Sequence, residues 1–335
     1  MRRALVTGAT GCIGRALTRR LLELGTEVRA IVRDADSAPR ILGGSPALEL
    51  IRCDLFDSVT LRQTLNEVEV VFHLAAKVHT RPRSAQEHDE FFKVNVDGTR
   101  ILLDACADAS VKSFIFFSTI AVFGQQPSPF SESTPAIPIT SYAKSKYEAE
   151  GLVFEWMEKT KRHAVVLRPA MVFGEGDRGN FQKMIKAIDK GRFVSFGGAR
   201  KSLAYSADIA EVAIISANTP EVSGQVLIAA ESNSYTLQEI AAKIAGALGR
   251  RNTRIQFPVW FLRLSGVVLE TVCSLIGTKA PFDSSDVSAL VSNTACDTSK
   301  LDRQLNFRPR FGLSQGIFRT VAWYRSIQQS VHDIQ

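Results

Sequence analysis

The sequence predicts an α/β protein: a doubly wound parallel sheet flanked by helices, with a smaller cap contributed by later segments. Three observations predict it. Short apolar runs rich in Val, Ile and Phe recur at 4–7, 28–32, 50–55, 68–74 and 113–117. Stretches of helical character separate these runs, as crossovers between parallel strands require. The chemically distinctive residues cluster just after the runs, where ligands of such sheets bind.

The first run is closed by GATGCIG, in which Gly8, Gly11 and Gly14 lead into a helix predicted over 15–24 and ended by Gly25. The first glycine permits a tight turn. The second lets backbone N–H groups approach a pyrophosphate, and the third lets helix and strand pack closely. This predicts a Rossmann-type dinucleotide cradle formed by Gly8, Thr10, Gly11, Cys12, Ile13 and Gly14. The second run ends in Val32, then Arg33-Asp34, where an adenosine ribose is read. An acid there would bond a 2′-hydroxyl and an arginine would accommodate a 2′-phosphate. Arg33 therefore favours NADP, with NAD as the alternative if Asp34 points inward and Arg33 outward.

The third run closes with Asp54-Leu55, where Asp54 is either an acceptor for an adenine amine or a turn aspartate. The fourth ends in Leu74-Ala75-Ala76, small residues suited to lie against the cofactor. KVNVDGT then opens a helix to residue 109, and the fifth run is followed by Ser118-Thr119.

Tyr142 and Lys146 stand four residues apart in a segment that Pro138 precedes and Thr140 or Ser141 can cap. At that spacing the phenol and the ammonium share a helix face. A phenol ordinarily titrates near pH ~10, and a fixed cation beside it favours the phenolate, making Tyr142 a candidate acid/base. Beyond residue 168 the chain is expected to leave the sheet. A dinucleotide-binding domain over 1–168, rejoined by 205–230, is predicted beside a cap made of 169–204 and 231–335. A helix over 180–190 would present the N–H groups around Asn180 to a diphosphate.

Composition is that of an ordinary globular protein, 45% hydrophobic and 22% charged. The net charge of +7 is scattered and not interleaved with aromatics, which argues against nucleic acid and allows a mild bias toward small anionic ligands. Cys12, Cys53, Cys106, Cys273 and Cys296 lack CxxC spacing, and the His at 73, 79, 88, 163 and 332 form no ligand motif. Neither a disulfide frame nor a metal site is expected. No targeting segment is read at the N-terminus, and a reducing cytoplasm is the expected location. The apolar stretch 257–276 carries Arg263 and Glu270 on one helical face. It is read as a cap helix or subunit contact in preference to a membrane-surface helix.

TGATGCIG, HLAA, KVNVDGTRILLDAC, FFSTIAVFG, the Tyr142–Lys146 pair and LRPAMVFG, in this order, resemble the extended short-chain dehydrogenase/reductase superfamily. That group contains the NAD(P)-dependent nucleotide-sugar epimerases, dehydratases and ketoreductases. The resemblance is continuous over 4–230 and persists more weakly through ACDTSKLDRQLNFRPRFGLSQGI. It implies that Thr119 bonds the reacting oxygen, with Ser118 as a neighbour able to share that task. It further implies that Tyr142 is the acid/base, that Lys146 binds nicotinamide ribose hydroxyls, and that the Arg168-Pro169 turn holds the carboxamide.

Departures narrow the expected reaction. Ile120-Ala121 stands where related dehydratases carry Asp-Glu, so dehydration is not expected. Met171 replaces an Asn common in UDP-sugar epimerases. Lys201 occupies the place of a diphosphate-binding Arg, and no counterpart of a second Arg appears around Val287. The resemblance implies C4 ketoreduction or 4-epimerisation of a nucleotide sugar for surface polysaccharide. Its alternatives are a 3β-hydroxysteroid-dehydrogenase-like or dihydroflavonol-reductase-like enzyme on an apolar alcohol, or a non-catalytic NADP sensor. It also implies a homodimer, with Leu102, Leu103, Ala105 and Cys106 on one helix and Ala149, Leu152, Val153 and Trp156 on another.

Overall fold

A computed structural model describes residues 1–78, 84–196, 198–251, 256–257 and 292–332. His79, Cys273, Val287 and the apolar stretch beyond Phe257 lie outside the described residues. In chain order the first half comprises β1 (Arg3–Thr7), α1 (Cys12–Glu23), β2 (Glu27–Val32), α2 (Ala38–Leu42), β3 (Leu48–Arg52), α3 (Ser58–Thr64), β4 (Val70–His73) and α4 (Ala85–Phe92). After a π turn at Lys93–Asp97 come α5 (Gly98–Asp108), β5 (Ser113–Phe117), a 3₁₀ turn at Ile120–Phe123, α6 (Ser141–Thr160) and β6 (His163–Pro169). The second half holds β7 (Met171–Phe173), α7 (Asn180–Asp189), β8 (Ser195–Phe196), β9 (Arg200–Tyr205), α8 (Ser206–Ala217) and β10 (Gln225–Ala229). It ends with β11 (Ser234–Thr236), α9 (Leu237–Ala247), β12 (Gln256–Phe257), α10 (Ser299–Leu305) and α11 (Gly312–His332).

Seven strands form one sheet in the order β10-β6-β5-β4-β1-β2-β3, and every pairing is parallel. This is the Rossmann-type doubly wound sheet that the alternating pattern predicts. Its central strands are buried along their whole length, as the apolar runs VVFH and SFIFF demand of a sheet covered on both sides. Alternate residues serve opposite faces. Ala4, Val6, Ile115 and Phe117 pack with Leu17 and Leu21 of α1 and Ile209 and Val212 of α8. Leu5, Phe114 and Phe116 pack with α5 and α6. The order reverses between β1 and β4, so the ends of those two strands flank the sheet's crevice.

That second core contains the residues named above for a dimer contact. Leu102, Leu103, Ala105, Cys106, Ala149, Leu152, Val153 and Trp156 are all buried within it, against Val71, Phe114 and Val166 of the chain's own sheet. These side chains are therefore buried within the protomer.

The cap is a three-stranded sheet, β11-β9-β7, with α7, α9 and α11 around a third core that includes Phe173, Ile185, Leu203, Ile244 and Ile317. The chain then returns to the large sheet. Cys296, Leu301, Leu305 and Phe307 enter the core that holds Ile209 and Leu227. Asp208, buried at the start of α8, ties this return together: Oδ1 accepts from Arg310 N at 2.8 Å and Phe311 N at 3.1 Å, and Oδ2 from Gly312 N at 3.3 Å. Asp208→Ala would leave these amides at the α11 entrance without partners. It should cost about 1–3 kcal/mol in denaturant unfolding, with α11 losing hydrogen-exchange protection first.

Candidate active site

The cradle follows β1. Gly8 has φ +68°, and a Cβ on it would lie 2.8 Å from Ala75 N. A Cβ on Gly14 would lie 2.2 Å from Gly8 O, so the turn and helix approach as only glycine allows. Gly11 N donates to Gly8 O at 3.0 Å, and Arg15 N to Gly11 O at 3.0 Å. The helix N-cap, Gly11, makes no side-chain cap bond. The N–H groups of Cys12, Ile13 and Gly14 thus remain at the positive end of α1, a donor set suited to a pyrophosphate.

Across the crevice, a buried relay fixes the end of β4. Ala75 N donates to Thr7 Oγ1 at 3.1 Å, and Thr7 bonds His73 Nδ1 at 2.7 Å. His73 Nε2 meets Thr99 Oγ1 at 2.9 Å, and the Thr99 hydroxyl is donated to Asn95 O at 2.7 Å. With the Thr99 proton committed, His73 must donate from Nε2 and accept at Nδ1. Burial first, and the Lys146 charge second, push its pKa down to about 3, so the ring stays neutral. Asn95, turned inward by the π turn, pins the next residue: Lys77 N donates to Oδ1 at 2.7 Å. Asn95 Nδ2 donates to Lys77 O at 3.2 Å and to Ser145 Oγ at 2.9 Å. The Leu74–Ala75–Ala76 stretch is thereby held between Gly8 and α6.

At the ribose end, Arg33 is exposed and pairs with no described carboxylate. Asp34 is engaged in its own turn, Oδ1 accepting from Asp36 N at 3.0 Å and Ser37 N at 3.3 Å. Asp54 is also a turn aspartate, with Oδ1 accepting from Phe56 N at 3.0 Å. Leu55 is buried beside Gly98.

Thr119, Tyr142 and Lys146 meet at the C-terminal edge of the sheet. Thr119 follows β5 and accepts from Ala121 N at 3.1 Å, which closes the 3₁₀ turn containing Ile120 and Ala121. Thr140 caps α6 by accepting from Ala143 N at 3.2 Å, so Tyr142 lies in the first turn of that helix. The Thr119 hydroxyl lies near enough to the phenol to act on its titration. The ring of Phe91 meets the Tyr142 ring edge-on at 6.5 Å. Lys146 is 2% exposed, with Nζ 4.0 Å from the centre of the Phe116 ring. It donates no hydrogen bond to a described residue.

The electrostatics differ from the simple expectation of an ammonium depressing a phenol. Burial pushes Tyr142 up to about 12, opposed by the bond from Thr119. Burial also pushes Lys146 down to about 7, opposed by the charge of Glu150. Desolvation penalises both charged forms and outweighs their mutual stabilisation in the site itself.

Three substrate expectations meet different surroundings. Ser118 is buried and gives its hydroxyl to Glu150, because successive residues of a strand end point to opposite faces. Asn180 does open α7, yet two amides of that helix start are taken by the buried Asp177 carboxylate: Gly179 N at 2.7 Å and Gln182 N at 3.0 Å. An anionic group already sits where a diphosphate was expected. Lys201 is 6% exposed and donates to Ser292 O at 2.5 Å, and burial pushes its pKa down to about 8. Pro169 ends β6, paired with Ala229 of β10. Among the described residues no cluster of His, Cys, Asp and Glu could hold a metal, and no helix is long and apolar enough to cross a membrane.

The model of the NAD dependent epimerase/dehydratase family matches residues 4–229. The chain belongs to that family. It is an enzyme of the short-chain dehydrogenase/reductase type. Within the epimerase/dehydratase family and its relatives, the N-acetyl-alpha-D-glucosaminyl-diphospho-ditrans,octacis-undecaprenol 4-epimerase of Escherichia coli O157:H7 is 29% identical over 276 residues, 81% of this chain and 82% of that protein. The 3 beta-hydroxysteroid dehydrogenase/Delta 5-->4-isomerase of Mycobacterium tuberculosis (strain ATCC 25618 / H37Rv) is 26% identical over 348 residues, 97% of this chain and 91% of that protein. MoeE5, solved in complex with UDP-glucose and NAD, superposes with a TM-score of 0.76 at 25% identity, over 97% of this chain and 99% of that one.

Residues that the sequence reading missed are Glu150, Asp177, Asn95 and the side chain of Arg168. The i, i+4, i+8 spacing of Tyr142, Lys146 and Glu150 was a signal for the first. The lysine supplies a pH test. Below about 7 the folded protein carries the buried charge, and between about 7 and the ordinary value of 10.5 the unfolded chain binds the extra proton. Stability should therefore rise across that window relative to Lys146→Met, and thermal denaturation of both proteins across pH will show whether the gap closes.

Proposed function

We propose that the protein works at C4 of a nucleotide sugar, either reducing a 4-keto group or inverting the hydroxyl through a 4-keto intermediate. The observation that carries this reading is the contact of Thr119 with Tyr142 above Lys146, in a turn where Ile120 and Ala121 supply no acid or base. Thr119 and Tyr142 hold the substrate oxygen between two hydroxyls. A bound nicotinamide supplies hydride exchange at the carbon that bears that oxygen. In the reducing direction Tyr142 donates its proton, a task that its raised pKa suits. In the oxidising direction Tyr142 must first give up that proton, and Lys146 in its charged form favours the phenolate. With neither an acid nor a base after Thr119, proton removal from the adjacent carbon has no agent, which argues against dehydration.

The cofactor is proposed to be NADP in preference to NAD. Arg33 is exposed beside the ribose position, and Asp34 has its Oδ1 committed to two backbone amides. Gly8 to Gly14, Asp54, Leu55, Leu74 to Ala76, Tyr142, Lys146 and Pro169 are the proposed contacts along its length. Arg33→Ala should weaken NADP binding by about 1.5–3 kcal/mol, roughly tenfold or more, while changing NAD little, as measured by calorimetry. Equal losses for the two cofactors would remove the preference.

A second reading, an apolar alcohol or ketone as substrate, has its own support. The Mycobacterium tuberculosis steroid dehydrogenase is similar over nearly the whole chain. Asp177 at the α7 start and the bond of Lys201 to Ser292 also weaken the diphosphate site. A panel of UDP-, GDP- and dTDP-sugars with their 4-keto derivatives, assayed with NADPH and NADH, separates these readings. Net cofactor oxidation identifies a reductase, and interconversion without it an epimerase. No turnover, alongside activity on a hydroxysteroid, would transfer the assignment. Tyr142→Phe should lower kcat by at least about 10²-fold while the cofactor still binds. Retained turnover would remove Tyr142 from the chemistry.

A further inference from the structure

Glu150 lies one turn beyond Lys146, so Tyr142, Lys146 and Glu150 descend one face of α6 from its mouth into the protein. Glu150 is 2% exposed. Its carboxylate takes the Ser118 hydroxyl and a two-armed guanidinium from β6: Arg168 Nε to Oε1 at 2.9 Å and Nη2 to Oε2 at 2.6 Å. Arg168 in turn lies 5.0 Å above the Phe123 ring. The partners of Glu150 are the neighbours in sequence of two proposed site residues, Ser118 before Thr119 and Arg168 before Pro169. One carboxylate therefore joins the ends of β5 and β6 to the helix that carries the acid/base pair.

Among the described residues, Glu150 is the carboxylate whose charge bears on Lys146. From α6 Lys146 faces Tyr142 and Glu150, and from β4 the neutral His73. Arg168 of β6 is engaged by Glu150, and Lys300 of α10, near Arg168, is lowered by burial. On α4, His88 bonds Ser141 and Glu90 pairs with Lys77. The charge of Glu150 opposes the burial that lowers Lys146.

We propose that Glu150 is a positioning residue for the acid/base pair: one helical turn beyond Lys146, its carboxylate ties the strand ends bearing Thr119 and Pro169 to the helix that carries Tyr142 and Lys146. The inference rests on the reading of Tyr142 and Lys146 given above. A purely structural ion pair would need Glu150 and Arg168 alone, and the two roles separate experimentally. Glu150→Gln removes the charge but strands Arg168, whereas Glu150→Gln with Arg168→Gln removes both buried charges and relieves that penalty.

The test follows the Lys146 titration by lysine side-chain NMR in isotope-labelled protein, assigned with Lys146→Met, and stability by thermal denaturation. In both variants the Lys146 midpoint should fall about one pH unit below that of the wild type. The double variant should recover most of the stability that Glu150→Gln loses, so it carries the test even if the single variant fails to fold. The alkaline limb of kcat/KM should move to lower pH by the same amount. A double variant whose Lys146 titrates as in the wild type would overturn the proposal and leave Glu150 an ordinary ion-pair partner. Absence of turnover on every substrate tried would count against the proposed function, while the NMR titration would still decide the role of Glu150.

Discussion

The site is organised around an ammonium held where water scarcely reaches it. Lys146 sits over an aromatic ring, with a neutral histidine on one side and a carboxylate one turn below. Burying a charge is costly unless its surroundings compensate. Much of the nearby architecture reads as that compensation or as the means of excluding solvent from it. The parallel sheet brings the ends of β4, β5 and β6 to one edge, α6 lays its first turns across that edge, and Phe116 closes the floor.

The same constraint explains the polar chains buried beside the lysine. His73 can lie next to a cation because Thr7 and Thr99 fix both its ring nitrogens in the neutral form. Asn95 spans the strand-end loop and α6, meeting the backbone of Lys77 and the hydroxyl of Ser145. These groups are satisfied within the protein, as buried polar atoms must be. Together they tie the loop after β4 to β1 and to α6.

On the substrate side the features are less uniform. A carboxylate, Asp177, closes the α7 start, and Lys201 is tied to a backbone carbonyl. The nucleotide half of a sugar substrate would meet a less cationic wall than in a cleft lined with free arginines. This bears on why relatives of this chain include both sugar epimerases and a steroid dehydrogenase.

Much of this was legible in the residues alone. Strand runs, glycine spacing and the Tyr142–Lys146 interval are local patterns whose geometry follows from backbone periodicity, so the cradle, the strand ends and the shared helix face could be read directly. The sign and size of electrostatic effects could not, because they depend on burial, and burial is a property of the packed chain. Only the tertiary structure showed desolvation overriding the attraction between phenol and ammonium. Only it turned Ser118 inward to Glu150, gave the α7 amides to Asp177, and folded residues 296–307 back onto the large sheet. Each of these outcomes was set by contacts between segments far apart in sequence, which no local pattern encodes.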